Sequence, residues 1–142
     1  MVQFELKKLQ SEFPAVKINS IKDAEQVIRQ FYGDDLEIFE SCFILLLNNS
    51  NLTIGYAKIS QGGITGTVAD TRLVFATALK AAATSVILSH NHPSGALVPS
   101  RRDINLTEQM KKAGEILDVK LLDHIIIGHE NEFLSMADNG DL

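Results

Sequence analysis

The chain has 142 residues, of which 45% are hydrophobic and 22% charged, with a net charge of -5. That length suits one domain around one core, and the acidic balance opposes direct nucleic-acid binding, which rests on lysines and arginines neutralising phosphates; Arg101-Arg102 and Lys111-Lys112 are too short to reverse it. No apolar run approaches the ~20 residues of a membrane span, and the start, with Glu5, Lys7 and Lys8, lacks the apolar region of a signal peptide, so a cytoplasmic location is expected.

Residues 1–19 read as an N-terminal appendage and residues 20–142 as a single domain. Ser20 is a plausible N-cap with Asp23 three residues later, and Ile21, Ala24, Val27, Ile28 and Phe31 form an apolar stripe, so the first element is a helix of about three turns. Gly33-Asp34-Asp35 ends it. The segment Phe39 to Leu47 is rich in β-formers and mostly apolar, as a buried strand would be, and Asn48-Asn49-Ser50-Asn51 turns the chain into a hairpin partner from Leu52 to Ser60. The single Cys42 lies inside that first strand, where it reads as a small buried hydrophobe; one cysteine excludes both an internal disulfide and a thiolate zinc site.

Gln61-Gly62-Gly63 closes the second strand. A helix carrying Leu73, Val74, Ala76, Leu79 and Ala82 follows, with Asp70-Thr71-Arg72 at its start and Arg72 able to reach a substrate, and then a strand from Ser85 to Ser89. After a loop, a helix from Arg101 to about Leu117 carries Leu106, Met110, Ala113 and Ile116, and Val119 to Ile127 and Phe133 to Met136 supply two last strands. The sum is an α/β domain, a mixed sheet flanked by helices.

The loop after the third strand concentrates the chemistry. His90 and His92 stand two apart, so in extended chain both imidazoles project from one face. Pro93, Gly95 and Pro99 break regular structure, and Ser100 with Asp103 has the S-x-x-D pattern of a helix start, which folds a helix N-terminus back towards the histidines. Asp103 can then supply a carboxylate oxygen beside two imidazoles, and three protein ligands leave one tetrahedral position open, as a catalytic zinc site requires. Ser100 and Asp103 also read, more blandly, as a capping box; the two roles are compatible. A two-histidine, one-carboxylate set can hold iron as well, but hydrolytic chemistry and a neighbouring base favour zinc. For that base, Glu37 and Glu40 both stand near the start of the first strand.

The spacing His-x-His, seven residues, Ser, two residues, Asp is similar to that of the JAMM (JAB/MPN+) metalloproteases. More closely, His90-Asn91-His92-Pro93-Ser94-Gly95 with Pro99-Ser100 and Leu122-Asp123-His124-Ile125-Ile126-Ile127-Gly128 resembles the RadC-like branch, from about Glu40 to the C-terminus. The resemblance implies a JAB/MPN, cytidine-deaminase-like architecture; one Zn2+ per chain on His90, His92 and Asp103; Glu40, in preference to Glu37, as general base; and Ser100 holding the oxyanion of an amide substrate in a peptide or protein. Asn91 is expected to steady the loop, Asp123-His124 either to orient the ligands or to be a partly buried pair at a strand edge, and His129 to be exposed. Two other readings compete: a non-enzymatic scaffold on the same fold, which retention of all four motif positions opposes, and a role in DNA repair or mobile elements, which the charge opposes. The RadC-like relatives that are longer carry an N-terminal helical segment for which this chain is expected to lack room. Ubiquitin cleavage is not implied, because the short spacing leaves no room for ubiquitin-holding loops. A zinc deaminase would need His-x-Glu and Cys-x-x-Cys, which one cysteine excludes.

Overall fold

Strand β1 (Ser41–Leu47) is buried at every position because it lies inside the sheet with helices on both faces, which is why it reads as an unbroken apolar run. In the computed structural model, which describes residues 1–62 and 69–142, helix α1 (Ile21–Arg29) precedes β1, and β2 (Thr53–Gln61), α2 (Thr71–Lys80), β3 (Ser85–Asn91), α3 (Arg101–Leu117), β4 (Lys120–Ile127) and β5 (Phe133–Ser135) follow. The five strands form one mixed sheet in the order β2-β1-β3-β4-β5, with β3 and β4 parallel and every other pair antiparallel. Gly63, expected to close the second strand, lies outside the described residues.

Alternation along the strands divides the core in two. Cys42, Ile44, Leu46, Val86 and Leu88 face α2 and α3, against Val74, Phe75, Ala78 and Met110. Phe43, Leu45, Leu47, Ile87, Ile125 and Ile127 face α1, against Ala24, Ile28 and Tyr32. Cys42 is 2% exposed, and burial pushes its thiol up to about 12. A thiol reagent near neutral pH is therefore expected to leave the folded chain unmodified and to titrate one thiol after denaturant is added; rapid labelling without denaturant would contradict that burial.

Several local expectations shift. Helix α1 stops at Arg29, before Phe31, and Gly33–Asp35 forms a separate 3-10 turn. On α2 the buried residues are Val74, Phe75 and Ala78, whereas Leu73 and Leu79 are 53% and 51% exposed and Ala76 also faces solvent. Ala82 falls past the helix with φ 55°. On α3, Ile116 is exposed because it stands six positions after Met110, roughly 240° around the helix. The face that packs is Thr107, Met110 and Gly114, with Leu106 and Ala113 at its margin. Strand β1 begins two residues later than Phe39, β2 spans Thr53–Gln61, β4 begins at Lys120, β5 ends at Ser135, and β3 runs on to Asn91 and so includes His90.

Gly114 lies where α3 turns into β4, and a Cβ there would run into the carbonyl oxygen of Val119. The helical gain from Gly→Ala is about 1 kcal/mol, too little to offset a clash with backbone. Gly114→Ala is expected to destabilise the fold by about 2–4 kcal/mol in denaturant unfolding; a neutral result would mean that the α3–β4 junction yields freely.

Before α1, Phe13 packs its ring against Phe31 and Tyr56, and Val16 and Ile18 hydrogen-bond to Thr53 and Asn51. Residues 1–12 are exposed. Among the described residues, no helix is long and apolar enough to cross a membrane.

Candidate metal centre

His90 is buried in β3, paired with Cys42 of β1 on one side and Ile126 of β4 on the other. The ladder continues one step past the strand, where His92 N–H donates to Ile127 O at 3.1 Å, so the two imidazoles share one face. His92 Nδ1 lies 2.7 Å from the carbonyl of Ala96, which can only accept; Nδ1 therefore carries a proton, and Nε2, a lone pair in the neutral ring and a donor in the imidazolium, is the atom that faces the site. The two Nε2 atoms are 2.9 Å apart.

Asp103 arrives from α3. Ser100 is the N-cap of that helix: its Oγ accepts from Asp103 N–H at 3.0 Å, and Ser100 N–H donates back to Asp103 Oδ2 at 2.8 Å, a complete capping box. The same carboxylate faces the histidines, with Oδ1 3.3 Å from His90 Nε2 and Oδ2 3.5 Å from His92 Nε2. Burial opposes its charged form, but the hydrogen bonds from His90 and His92 outweigh that and hold the carboxyl far below the usual carboxylate range. Reciprocally, the Asp103 hydrogen bond raises His92 above its ordinary value.

Glu40 closes the group, with Oε1 3.9 Å from His92 Nε2, while Glu37 is exposed. One donor atom from each of Glu40, His90 and His92 lies within 4.8 Å of the others, so these residues can hold a metal ion. A tetrahedral ion with bonds of about 2.0–2.1 Å spaces its donors roughly 3.3 Å apart. His90 Nε2 to His92 Nε2 at 2.9 Å, His90 Nε2 to Asp103 Oδ1 at 3.3 Å and His92 Nε2 to Asp103 Oδ2 at 3.5 Å straddle that value, the last two on different oxygens of one carboxylate, so donors of the right type stand near coordinating distance.

Asn91, fully buried between the two histidines, ties this strand to the segment bearing Glu40: its Nδ2 donates to Leu36 O at 2.6 Å and Phe39 O at 2.8 Å, and its Oδ1 accepts from Ser41 N–H at 2.8 Å. It thus fixes the backbone on both sides of Glu40. His129 is half-buried, not exposed as its polar surroundings suggest. Its Nε2 lies 2.6 Å from Pro93 O, and its ring fills the space that a Cβ on Gly95, at φ +83°, would take. Behind that turn, Arg29 forms a salt bridge with buried Glu25 and donates to Gly128 O and Glu132 O.

Asp123 and His124 divide. Strand β4 is not an edge, because β5 lies beyond it. Asp123 accepts from Ser135 Oγ, His124 N–H and Ala137 N–H at 2.5, 2.7 and 3.0 Å, while burial raises its carboxyl above the usual range. His124, fully buried and held neutral by that burial, lies with Nε2 2.7 Å from His90 Nδ1 and Nδ1 2.6 Å from Thr107 Oγ1. Thr107 was not among the sequence candidates, although its place four residues after Asp103 puts it on the same helix face. Arg72 is exposed and pairs with Asp70.

A family model described as RadC-like JAB domain matches residues 18–141. The chain belongs to the RadC-like JAB family. Among its relatives are proteins named UPF0758 from Flavobacterium johnsoniae, 49% identical over 87% of this chain and 53% of the relative, and from Porphyromonas gingivalis, 44% identical over 71% and 44%. One from Clostridium perfringens is 36% identical over 90% and 55%. The chain spans about half the length of these curated relatives. The RadC-like JAB match covers the whole sheet and each of the site residues described above.

Proposed function

We propose that this RadC-like JAB domain is a zinc-dependent hydrolase of the peptidase or isopeptidase class, acting on an amide bond in a peptide or protein. The observation that carries the reading is the convergence of His90 Nε2, His92 Nε2 and the Asp103 carboxylate, with the Glu40 carboxylate beside them. In this reading His90, His92 and Asp103 would hold one ion, with Glu40 as the base. Zinc, when bound there, lowers the pKa of water and polarises a substrate carbonyl.

The chain's own groups do the rest. Glu40 takes a proton from the attacking water and returns it to the departing amine nitrogen, one carboxylate serving twice. Ser100 spends a lone pair on the cap, so its O–H can donate to the developing oxyanion, reinforced by the positive end of α3. Asn91 keeps the Glu40 backbone in place through its three hydrogen bonds. With one cysteine and no internal disulfide to maintain, the chain fits a reducing compartment, the cytoplasm.

The test is a peptide and isopeptide library offered to the zinc-loaded chain and to the same chain after chelation. Cleavage that needs zinc is the expected result. Stoichiometric zinc with no cleavage of any substrate would put a non-enzymatic, metal-stabilised scaffold ahead of the hydrolase.

A further inference from the structure

The side of His90 turned away from the metal centre opens onto a buried hydrogen-bond chain. From His90 Nδ1 it passes to His124 Nε2 at 2.7 Å, from His124 Nδ1 to Thr107 Oγ1 at 2.6 Å, and from Thr107 Oγ1 to the main-chain oxygen of Asp103 at 2.7 Å. His124 and Thr107 are each 0% exposed, so each depends on protein partners for its hydrogen bonds rather than on bulk water. The chain begins on one candidate ligand and ends on another.

Donor and acceptor chemistry leaves two ways of placing the protons when both imidazoles are neutral. In one, Thr107 O–H donates to the Asp103 carbonyl, His124 Nδ1–H donates to Thr107, and His90 Nδ1–H donates to His124 Nε2. Every donor then has an acceptor, and the His90 Nε2 lone pair faces the site. In the other, Thr107 donates to His124 Nδ1, His124 Nε2–H donates to His90 Nδ1, and His90 Nε2–H points at the Asp103 carboxylate. That arrangement occupies the nitrogen an ion needs.

We propose that His124 and Thr107 are positioning residues that stabilise His90 in its Nδ1–H tautomer, and that by ending on Asp103 they lock the two ligands to one another. The proposal rests on the reading of His90 and Asp103 as metal ligands. Without His124, the Nδ1–H that zinc demands of His90 would be a buried donor with no acceptor, whereas the metal-free ring could still turn its proton towards Asp103. The loss therefore falls on the metal-bound form. Removing the Thr107 hydroxyl similarly strands His124 Nδ1–H.

The experiment uses the 142-residue chain, zinc chloride and a competing chromophoric chelator. His124→Phe and Thr107→Val are each expected to weaken zinc binding by about 10–100-fold, with Thr107→Ser restoring it, while circular dichroism confirms a folded chain. Long-range nitrogen–proton NMR on the zinc-loaded wild type is expected to show His124 protonated at Nδ1 and not at Nε2, a signature that a merely space-filling histidine would not be held to. Wild-type zinc affinity in both variants, or a His124 proton on Nε2 in the zinc-loaded chain, would overturn the proposal and leave the metal site standing. A wild type that binds no zinc would overturn both. The NMR result needs no variant to fold.

Discussion

His90→Ala and Asp103→Ala are each expected to take bound zinc from about one ion per chain to a small fraction of that, as read by elemental analysis after zinc has been offered and the excess washed away. The physical reason is the donor count: three protein ligands satisfy a catalytic site, and two leave an ion that exchanges with solvent. Asp103→Ala carries a second consequence, because the same carboxylate accepts from Ser100 N–H and completes the cap of α3. Ser100→Ala separates the two effects. It removes the acceptor for Asp103 N–H, at about 1 kcal/mol, but leaves the carboxylate in place, so it is expected to lower thermal stability modestly and to keep its zinc. Were Ser100→Ala to lose zinc as completely as Asp103→Ala, the ligand assignment would give way to one in which the helix start alone organises the site. A wild type without stoichiometric metal would move the scaffold reading to first place.

Glu40→Gln is the complementary experiment: hydrolysis of whichever amide substrate the screen yields should fall by about 10²–10⁴-fold, with zinc content unchanged. Gln keeps the size and polarity of Glu but accepts no proton, so the comparison isolates proton transfer from positioning. The Oε1 of Glu40 lies 3.9 Å from His92 Nε2, close enough to share a water with the site, whereas Glu37 is exposed. Glu37→Gln should therefore behave as wild type in the same assay. Full activity in Glu40→Gln would remove Glu40 from the mechanism; loss of zinc in that variant would instead make it a fourth ligand, in line with its membership of the donor cluster with His90 and His92.

Much of the site lies close together in sequence, and that part was legible. A His-x-His pair at the end of a strand, a stretch broken by Pro93, Gly95 and Pro99, and Ser100 followed by Asp103 are each set by backbone geometry over a few residues. Strand ends were found within two residues, because cover on both faces leaves an apolar stretch in the middle of a strand, residues 42–47 in β1 and 86–88 in β3. The errors about helix faces share one cause. Which side of α2 meets the sheet is decided by the neighbouring elements, and Leu73 and Leu79, as apolar as Val74 and Phe75, ended outside. Ile116 likewise belongs to a helix whose packed face follows Met110 and Gly114.

The sequence by itself determined the chemistry available: two imidazoles on one face, a carboxylate fixed to a helix start, a capping hydroxyl, one unpaired thiol and an α/β arrangement of elements. The tertiary structure decided which distant groups join them. Glu40 comes from the entry to β1, His124 from β4, and His129 from the turn beyond, at sequence separations where neither spacing nor periodicity carries information. Sheet order supplies it instead: β3 lies between β1 and β4, so the histidines at its end meet the Glu40 carboxylate from the side of one neighbour and the His124 ring from the other.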